Sequence, residues 1–265
     1  MTLPFFLVLL ESFAPTATAP KRTKPVTVEA PAPEVHELEW AEPLRRCGRR
    51  GRRRFCDGPR RVPLAWGEAA ERAKRLGLGD THAYNVLATR GPWDELLAEV
   101  EHDAEDTLLW PVPEGTMGRG FGYVRRQALA NRLHKGVDIP AAEGSDVRAA
   151  NAGIVAYADN GIVGYGNMIV LVHKNRTSTV YAHLSEARVF AGQQVERGET
   201  IGRIGRTGLT YAPHLHFEWR RGARPRNPLR RFVDRPSRER AYQLQLAMQR
   251  RRQAARRERL AARSR

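Results

Sequence analysis

Residues 153–183 read GIVAYADNGIVGYGNMIVLVHKNRTSTVYAH. Three short runs rich in apolar, β-branched and aromatic side chains stand in this stretch: Gly153–Ala158, Met168–Val172 and Thr179–His183. Turn formers separate them: Asn160-Gly161, then Gly164–Asn167, then Lys174-Asn175. Strands of this length joined by such turns read as antiparallel β structure. Outward from this stretch, Asp146–Ala149, Thr200–Ile204 and His214–Trp219 repeat the pattern, with Ala152-Gly153 and Arg197-Gly198 as further turns. No strand–helix alternation is present, which argues against a doubly wound parallel sheet. The expectation is a mainly β fold over residues 108–228, an antiparallel β-sandwich or partly closed barrel. The glycine-rich pieces Gly161–Gly166 and Gly202–Gly208 precede no apolar helix, which a phosphate-cradling loop needs, and so read as hairpin turns.

Before this region, residues 64–78 have apolar side chains at helical spacing (Leu64, Ala69, Ala73, Leu76), stopped by Gly77 and Gly79. Residues 81–101 predict a second helix or two short ones, broken at Gly91-Pro92, with Trp93, Leu96, Leu97 and Val100 on the apolar face. Residues 62–107 therefore form a small helical segment, expected to pack on the β region. Residues 229–265 predict an Arg-rich helical tail with a thin apolar stripe. Residues 21–61, rich in Pro, Ala, Thr and Glu and ending in an Arg tract, predict a disordered linker. Residues 1–20 resemble a secretory signal: the apolar run Leu3–Leu10 is followed by the small-residue stretch Ala14–Ala19. No Lys or Arg precedes that run, and Glu11 follows it. The run falls far short of the roughly 20 residues that span a bilayer.

The chain has 265 residues, enough for one or two domains, and a formal net charge of +16. The basicity is local. Residues 45–61 hold nine Arg and one Asp; residues 233–265 hold eleven Arg and three acids. The remainder carries 25 Lys and Arg against 25 Asp and Glu. The body is therefore neutral, and the two basic appendages invite an anionic surface, polymer or membrane, without saying which. Each tract holds a single aromatic, Phe55 and Tyr242, not the interleaved series that a base-stacking surface would need, so no specific nucleic-acid partner is expected. Cys47 and Cys56 lie inside the first tract without the second ligand pair of a zinc finger. In an exported protein they would be free to form one disulfide; in a reducing compartment they would be two thiols.

The chemistry lies in the histidines. Residues i and i+2 of a strand share a face, so His214 and His216 present two imidazoles together, with Leu215 and Phe217 on the opposite, buried face. His134 and Asp138 share a face of an extended segment, and Gly136 between them permits close approach. Two imidazoles, a carboxylate and an open fourth position make a catalytic zinc site. Spacing alone does not choose between His214 and His216, and it leaves His183 as a candidate. His173, His36, His82 and His102 lack such surroundings and read as surface or structural residues.

Several motifs in order carry a resemblance: Leu-Trp-Pro-Val-Pro at 109–113, Gly-Arg-Gly-Phe-Gly-Tyr at 118–123, His-Lys-Gly-Val-Asp-Ile-Pro at 134–140, Val-Arg-Ala-Ala at 147–150, Tyr-Gly-Asn at 165–167, Tyr-Ala-His-Leu at 181–184, Gly-Arg-Thr-Gly at 205–208 and Pro-His-Leu-His-Phe-Glu at 213–218. The stretch from Trp110 to about Trp219 resembles the lysostaphin-type (LytM-like) zinc metallopeptidases, which cut peptidoglycan peptides. The resemblance covers under half of the chain. It implies an antiparallel fold of the duplicated hybrid motif type with a long groove. It implies one Zn²⁺ per chain held by His134, Asp138 and His216, with His183 and His214 as the non-ligand catalytic pair. The reaction it implies is metal-assisted peptide hydrolysis, one histidine taking a proton from water and the other stabilising the oxyanion or serving the leaving amine. The expected compartment is the periplasm or cell envelope. Some relatives have lost ligands and activate other wall hydrolases. A non-catalytic wall-binding module is thus the alternative, and the intact five-residue set disfavours it.

Overall fold

The three runs of residues 153–183 become three consecutive antiparallel strands, and the rest of the sheet is built around them. The computed structural model describes residues 47–50, 53–56, 59–123 and 133–236, with the single positions 243, 250 and 253 beyond. In chain order the strands are β1 (Cys47–Arg50), β2 (Arg53–Cys56), β3 (Gly122–Tyr123), β4 (Leu133–His134), β5 (Val137–Pro140), β6 (Asp146–Arg148), β7 (Gly153–Asp159), β8 (Asn167–His173), β9 (Thr177–Ala187), β10 (Gln194–Val195), β11 (Thr200–Ile204), β12 (His214–Arg221) and β13 (Arg224–Arg226). The helices are α1 (Gly67–Leu76), α2 (Thr81–Thr89) and α3 (Asp94–Ala98). Nine strands form one sheet in the order β10-β7-β8-β9-β11-β6, and β9 also pairs with β12, which carries β5 and β13. All strand pairings are antiparallel, so the mainly β antiparallel expectation holds.

Strand β8 explains how the sheet is covered. Its run Met168-Ile-Val-Leu-Val172 is apolar at every position, as in a strand buried on both faces. Ile169 and Leu171 join a core with Val137, Ile139, Leu215, Phe217 and Trp110. Met168, Val170 and Val172 face the other way and pack with Tyr84, Leu87, Leu96 and Val100 of the helical segment. The helices therefore close the second face of the sheet. Gly77 ends α1 in the left-handed region (φ 64°), where a glycine avoids the Cβ clash, and its N–H donates to Ala73 and Lys74 carbonyls. Asp80 caps α2 by accepting from Ala83 N at 2.8 Å. Gly91-Pro92 separates α2 from α3 as the sequence predicts.

The termini depart from expectation. Within the predicted linker 21–61, β1 and β2 pair as a hairpin with Cys47 opposite Cys56 in the register. Arg60 then pairs with Asp159 at 2.8 Å, and Arg61 N donates to Asn167 Oδ1 at 3.2 Å, so residues 59–61 are docked on the domain. At the other end, residues 229–236 are turns and a bridge rather than helix. Phe232 packs on Trp110 (ring centroids 4.9 Å) and Phe217 (5.5 Å), and Asp234 accepts from Trp110 N at 2.6 Å. These contacts hold the chain against the sheet beyond Pro228 and preclude a helix start at 229. Of the predicted tail, Gln243, Arg250 and Gln253 are helical positions. The signal candidate at 1–20 and the apolar stripe of the tail lie outside the described residues. Among the described residues no helix is long and apolar enough to cross a membrane.

His173, at the end of β8, is fully buried and structural. Its Nδ1–H donates to the Ala152 carbonyl at 2.7 Å, leaving Nε2 to accept from the Thr179 hydroxyl at 2.9 Å. Burial holds its pKa down to about 4 from 6.5, the Ala152 bond opposing only in part. Above pH 6.5 the ring is neutral in folded and unfolded chains alike. Between 6.5 and about 4 the unfolded chain takes up a proton that the folded chain refuses, so stability falls as pH falls, by about 3 kcal/mol for this group. His173→Gln should flatten that slope. Urea unfolding at pH 7 and pH 4.5 of both proteins measures it; equal losses would clear His173 of the effect.

Candidate metal centre

Three adjacent strands of the main sheet and the short β4 bring the predicted residues together. On β12, His216 lies opposite Asp138 of β5 and opposite Ala182 of β9 in the two registers. His214 is two residues earlier on the same face, opposite Pro140. His134 reaches the cluster from β4, and Gly136 between it and Asp138 is required by space: a Cβ there would overlap the Phe217 carbonyl oxygen. His183 enters by an irregularity. Between the pairs Asn167–Leu184 and Ile169–Tyr181, β9 has two residues where β8 has one, a β-bulge. His183 sits in it with φ 66°, a backbone region that costs a non-glycine residue roughly 1–2 kcal/mol. Its N–H is held by the Tyr165 carbonyl at 2.9 Å.

His134 Nε2, Asp138 Oδ1 and His216 Nδ1 converge, with separations of 3.0 Å (His134–Asp138), 3.2 Å (His134–His216) and 3.0 Å (His216–Asp138). Their outer atoms fix the tautomers. His134 Nδ1–H donates to the Gly120 carbonyl at 2.7 Å, and His216 Nε2–H donates to Glu218 Oε1 at 3.1 Å. With those protons outward, the three inward atoms can each offer a lone pair, and any proton they share is what a metal ion would displace. Ligands about 2.0–2.1 Å from a tetrahedral ion stand about 3.3 Å apart, close to what is seen. The donor set fits Zn²⁺. The electrostatics agree. Burial opposes the charge on Asp138, but hydrogen bonds from His134 and His216 outweigh it and hold the carboxyl well below the usual range. Burial likewise opposes a charged His216, yet Asp138 and Glu218 push it up to about 9. Both carboxylates thus favour positive charge at this place, a shared proton or an ion in its stead.

Beside it, the His183 and His214 rings lie with centroids 4.8 Å apart. His183 Nδ1–H donates to the Thr207 carbonyl at 2.8 Å, and His214 Nδ1–H to the Ala212 carbonyl at 2.8 Å. Each therefore keeps Nε2 as a free acceptor. Burial first, then the neighbouring His216 and His214, hold His183 down to about 3, so it is neutral at physiological pH. All five predicted site residues line one groove of about 800 Å³. Spacing had left His183, His214 and His216 open as ligands; only His216 joins the converging triad with His134 and Asp138.

Glu218 and its neighbours were not singled out from sequence. Glu218 is fully buried; its Oε1 accepts from Tyr165 Oη at 2.8 Å and its Oε2 from Arg220 Nε at 2.8 Å. Arg220 lies under the Tyr84 ring of α2, 5.9 Å from its centroid. Burial works against the charge on Glu218, but His216 and Arg220 hold it down to about 2. The signal was present: His214, His216, Glu218 and Arg220 alternate on one strand face. The Gly120 and Thr207 carbonyls that orient His134 and His183 had none. Glu218→Gln should weaken metal binding about 10–100-fold, the usual effect of losing a carboxylate that orients a ligating histidine. Competition with a graded chelator reads it, with thermal unfolding as a check, since Arg220 loses its buried partner. Unchanged affinity would leave Glu218 only the counter-ion of Arg220.

Comparison with known proteins finds relatives for the region that holds these residues. The family model described as Peptidase family M23 matches residues 132–228. An uncharacterized metalloprotease of Haemophilus influenzae is 32% identical over 166 residues, covering 62% of this chain and 34% of that protein. The DD-carboxypeptidase/endopeptidase Mpg of Neisseria meningitidis serogroup B is 37% identical over 110 residues, 41% of this chain and 25% of that protein. A crystal structure of a zinc-containing peptidase from Vibrio cholerae matches with 30% identity and a TM-score of 0.44, covering 49% of this chain and 41% of that one. The chain thus spans about a third or less of the length of these two curated relatives.

Proposed function

Residues 132–228 match the family model described as Peptidase family M23, and on that premise we propose that the chain is a zinc-dependent endopeptidase that hydrolyses peptide bonds of peptidoglycan in cell-wall remodelling. The observation that carries this reading is the convergence of His134 Nε2, Asp138 Oδ1 and His216 Nδ1 beside two histidines with free Nε2 atoms. The names of the relatives, a metalloprotease and a DD-carboxypeptidase/endopeptidase, support the class of reaction. His134, Asp138 and His216 would hold one Zn²⁺ per chain through the three converging atoms, and the ion would supply Lewis-acid polarisation and acidify water. The chain's own residues do the rest. Asp138 and the two ligating imidazoles fix the position, and Glu218 holds the His216 tautomer. One of His183 and His214 takes the water proton at Nε2 and can return it to the departing amine; for the other to stabilise the oxyanion by donation, its Nε2 must first carry a proton of its own.

Such a substrate places the protein in the periplasm or cell envelope, where the Arg-rich tracts at 45–61 and 233–265 would hold it to anionic polymer or membrane. The test is digestion of purified peptidoglycan by the full chain, with products read by mass spectrometry. The full chain is needed because the helical segment covers one face of β8. Release of cleaved peptides, lost on chelation, is the expected result. Uncut peptidoglycan from zinc-loaded protein would reject the reading and favour a wall-binding module.

A further inference from the structure

One wall of the groove is cationic without an internal reason. Arg119 and Lys135 both line it, next to the metal ligands. The segment that carries Arg119 is pinned to those ligands: Gly118 N donates to Asp138 O at 2.9 Å and Asp138 N to Arg119 O at 2.8 Å. The next carbonyl, Gly120, holds His134. Gly118 packs so closely that a Cβ would stand 2.7 Å from Pro140 Cδ. Arg119 is thus set at a fixed place beside Asp138, and Lys135 follows His134 directly.

Neither cation has an acidic partner within 4.0 Å among the described residues, and Arg119 Nε is buried with no hydrogen-bond partner among them. The two carboxylates of the groove are engaged elsewhere. Asp138 faces His134 and His216, and Glu218 faces Arg220, His216 and Tyr165. The same groove also includes the exposed Val163 and Tyr211. A guanidinium partly removed from water and lacking an anion gains most from a carboxylate, which it meets with paired, charge-assisted hydrogen bonds.

We infer that Arg119, with Lys135 lining the same groove, forms its carboxylate-binding element and makes the protein prefer peptides with a free carboxylate near the site over their amides. The inference rests on the peptidase reading and names a feature of its substrate. The carboxylate has two sources, an acidic side chain or the peptide C-terminus.

The test is calorimetric binding, to the full chain with and without zinc, of a synthetic peptidoglycan stem peptide. Three forms are compared: all carboxylates free, side-chain carboxylates amidated, and C-terminus alone amidated. The free form should bind roughly 10–100-fold more tightly than one of the amides, the usual worth of a charged hydrogen bond. Which amide loses affinity identifies the source. Arg119→Gln should reduce that preference to under about 3-fold, and Arg119→Lys should restore part of it. Equal binding of acid and amides, or a preference untouched in Arg119→Gln, would overturn the inference. Cleavage is followed separately. A carboxylate preference without any cleavage would uphold this element while rejecting the peptidase reading.

Discussion

His216→Ala should strip the chain of zinc and take peptide hydrolysis to background. Of the three converging atoms, His216 Nδ1 is the one held from both sides, by β5 and β9 pairing and by Glu218 behind it. Its loss leaves one imidazole and one carboxylate, 3.0 Å apart, with too few donors to retain the ion. Losing an outer partner of a ligand typically costs 10–100-fold in affinity, so losing the ligand itself should exceed about 100-fold. Metal analysis of the purified variant, beside wild type, reads the result directly. Stoichiometric zinc in His216→Ala would show that the ligand assignment is wrong.

The second large effect separates the metal from the proton chemistry. His214→Ala should keep its zinc but lose roughly 10²–10⁴-fold in kcat, the usual range for a lost acid or base. The ring stands outside the converging triad, its Nε2 3.6 Å from Asp138 Oδ1 and its Nδ1–H committed to Ala212. It shares the groove with His183 at 4.8 Å between centroids. Removing it should therefore leave metal affinity near wild type. Full kcat in a zinc-replete variant would take His214 out of the reaction. Lost zinc would make it a ligand in place of His216.

Much of the sheet could be read because its signals are local. Apolar runs bounded by Asn-Gly and Lys-Asn turns placed β7 and β8, and the i, i+2 spacing of His214 and His216 put both on one face of β12. Elements that depend on distant partners were not legible. The Val137–Pro140 strand has only four residues and is fixed by pairing with β12. The Arg224–Arg226 strand lacks any apolar pattern and exists as the return of a hairpin. The unbroken run in β8 hid its reason, since the helices that bury its second face lie some 70 residues or more earlier in the chain.

The site divides in the same way. Its residue types and spacing could be read, but spacing did not choose among three histidines, and only the family resemblance pointed to His216. That choice depends on the bulge at Ala182-His183, which turns His183 out of the ladder with φ 66°. It depends also on backbone carbonyls of Gly120 and Thr207, 14 and 24 residues from the rings they orient. The hairpin at Cys47–Cys56 was hidden by composition, since an Arg-rich tract reads as solvated chain.

The central claim, metal-dependent hydrolysis at His134, Asp138 and His216, is tested most directly by titration. The full chain is stripped with a chelator, dialysed, and returned to peptidoglycan with increasing zinc while released peptides are counted. Activity should vanish on stripping and return in proportion to zinc, levelling at about one ion per chain, as a single three-ligand site requires. Undiminished cleavage by metal-free protein would contradict the account.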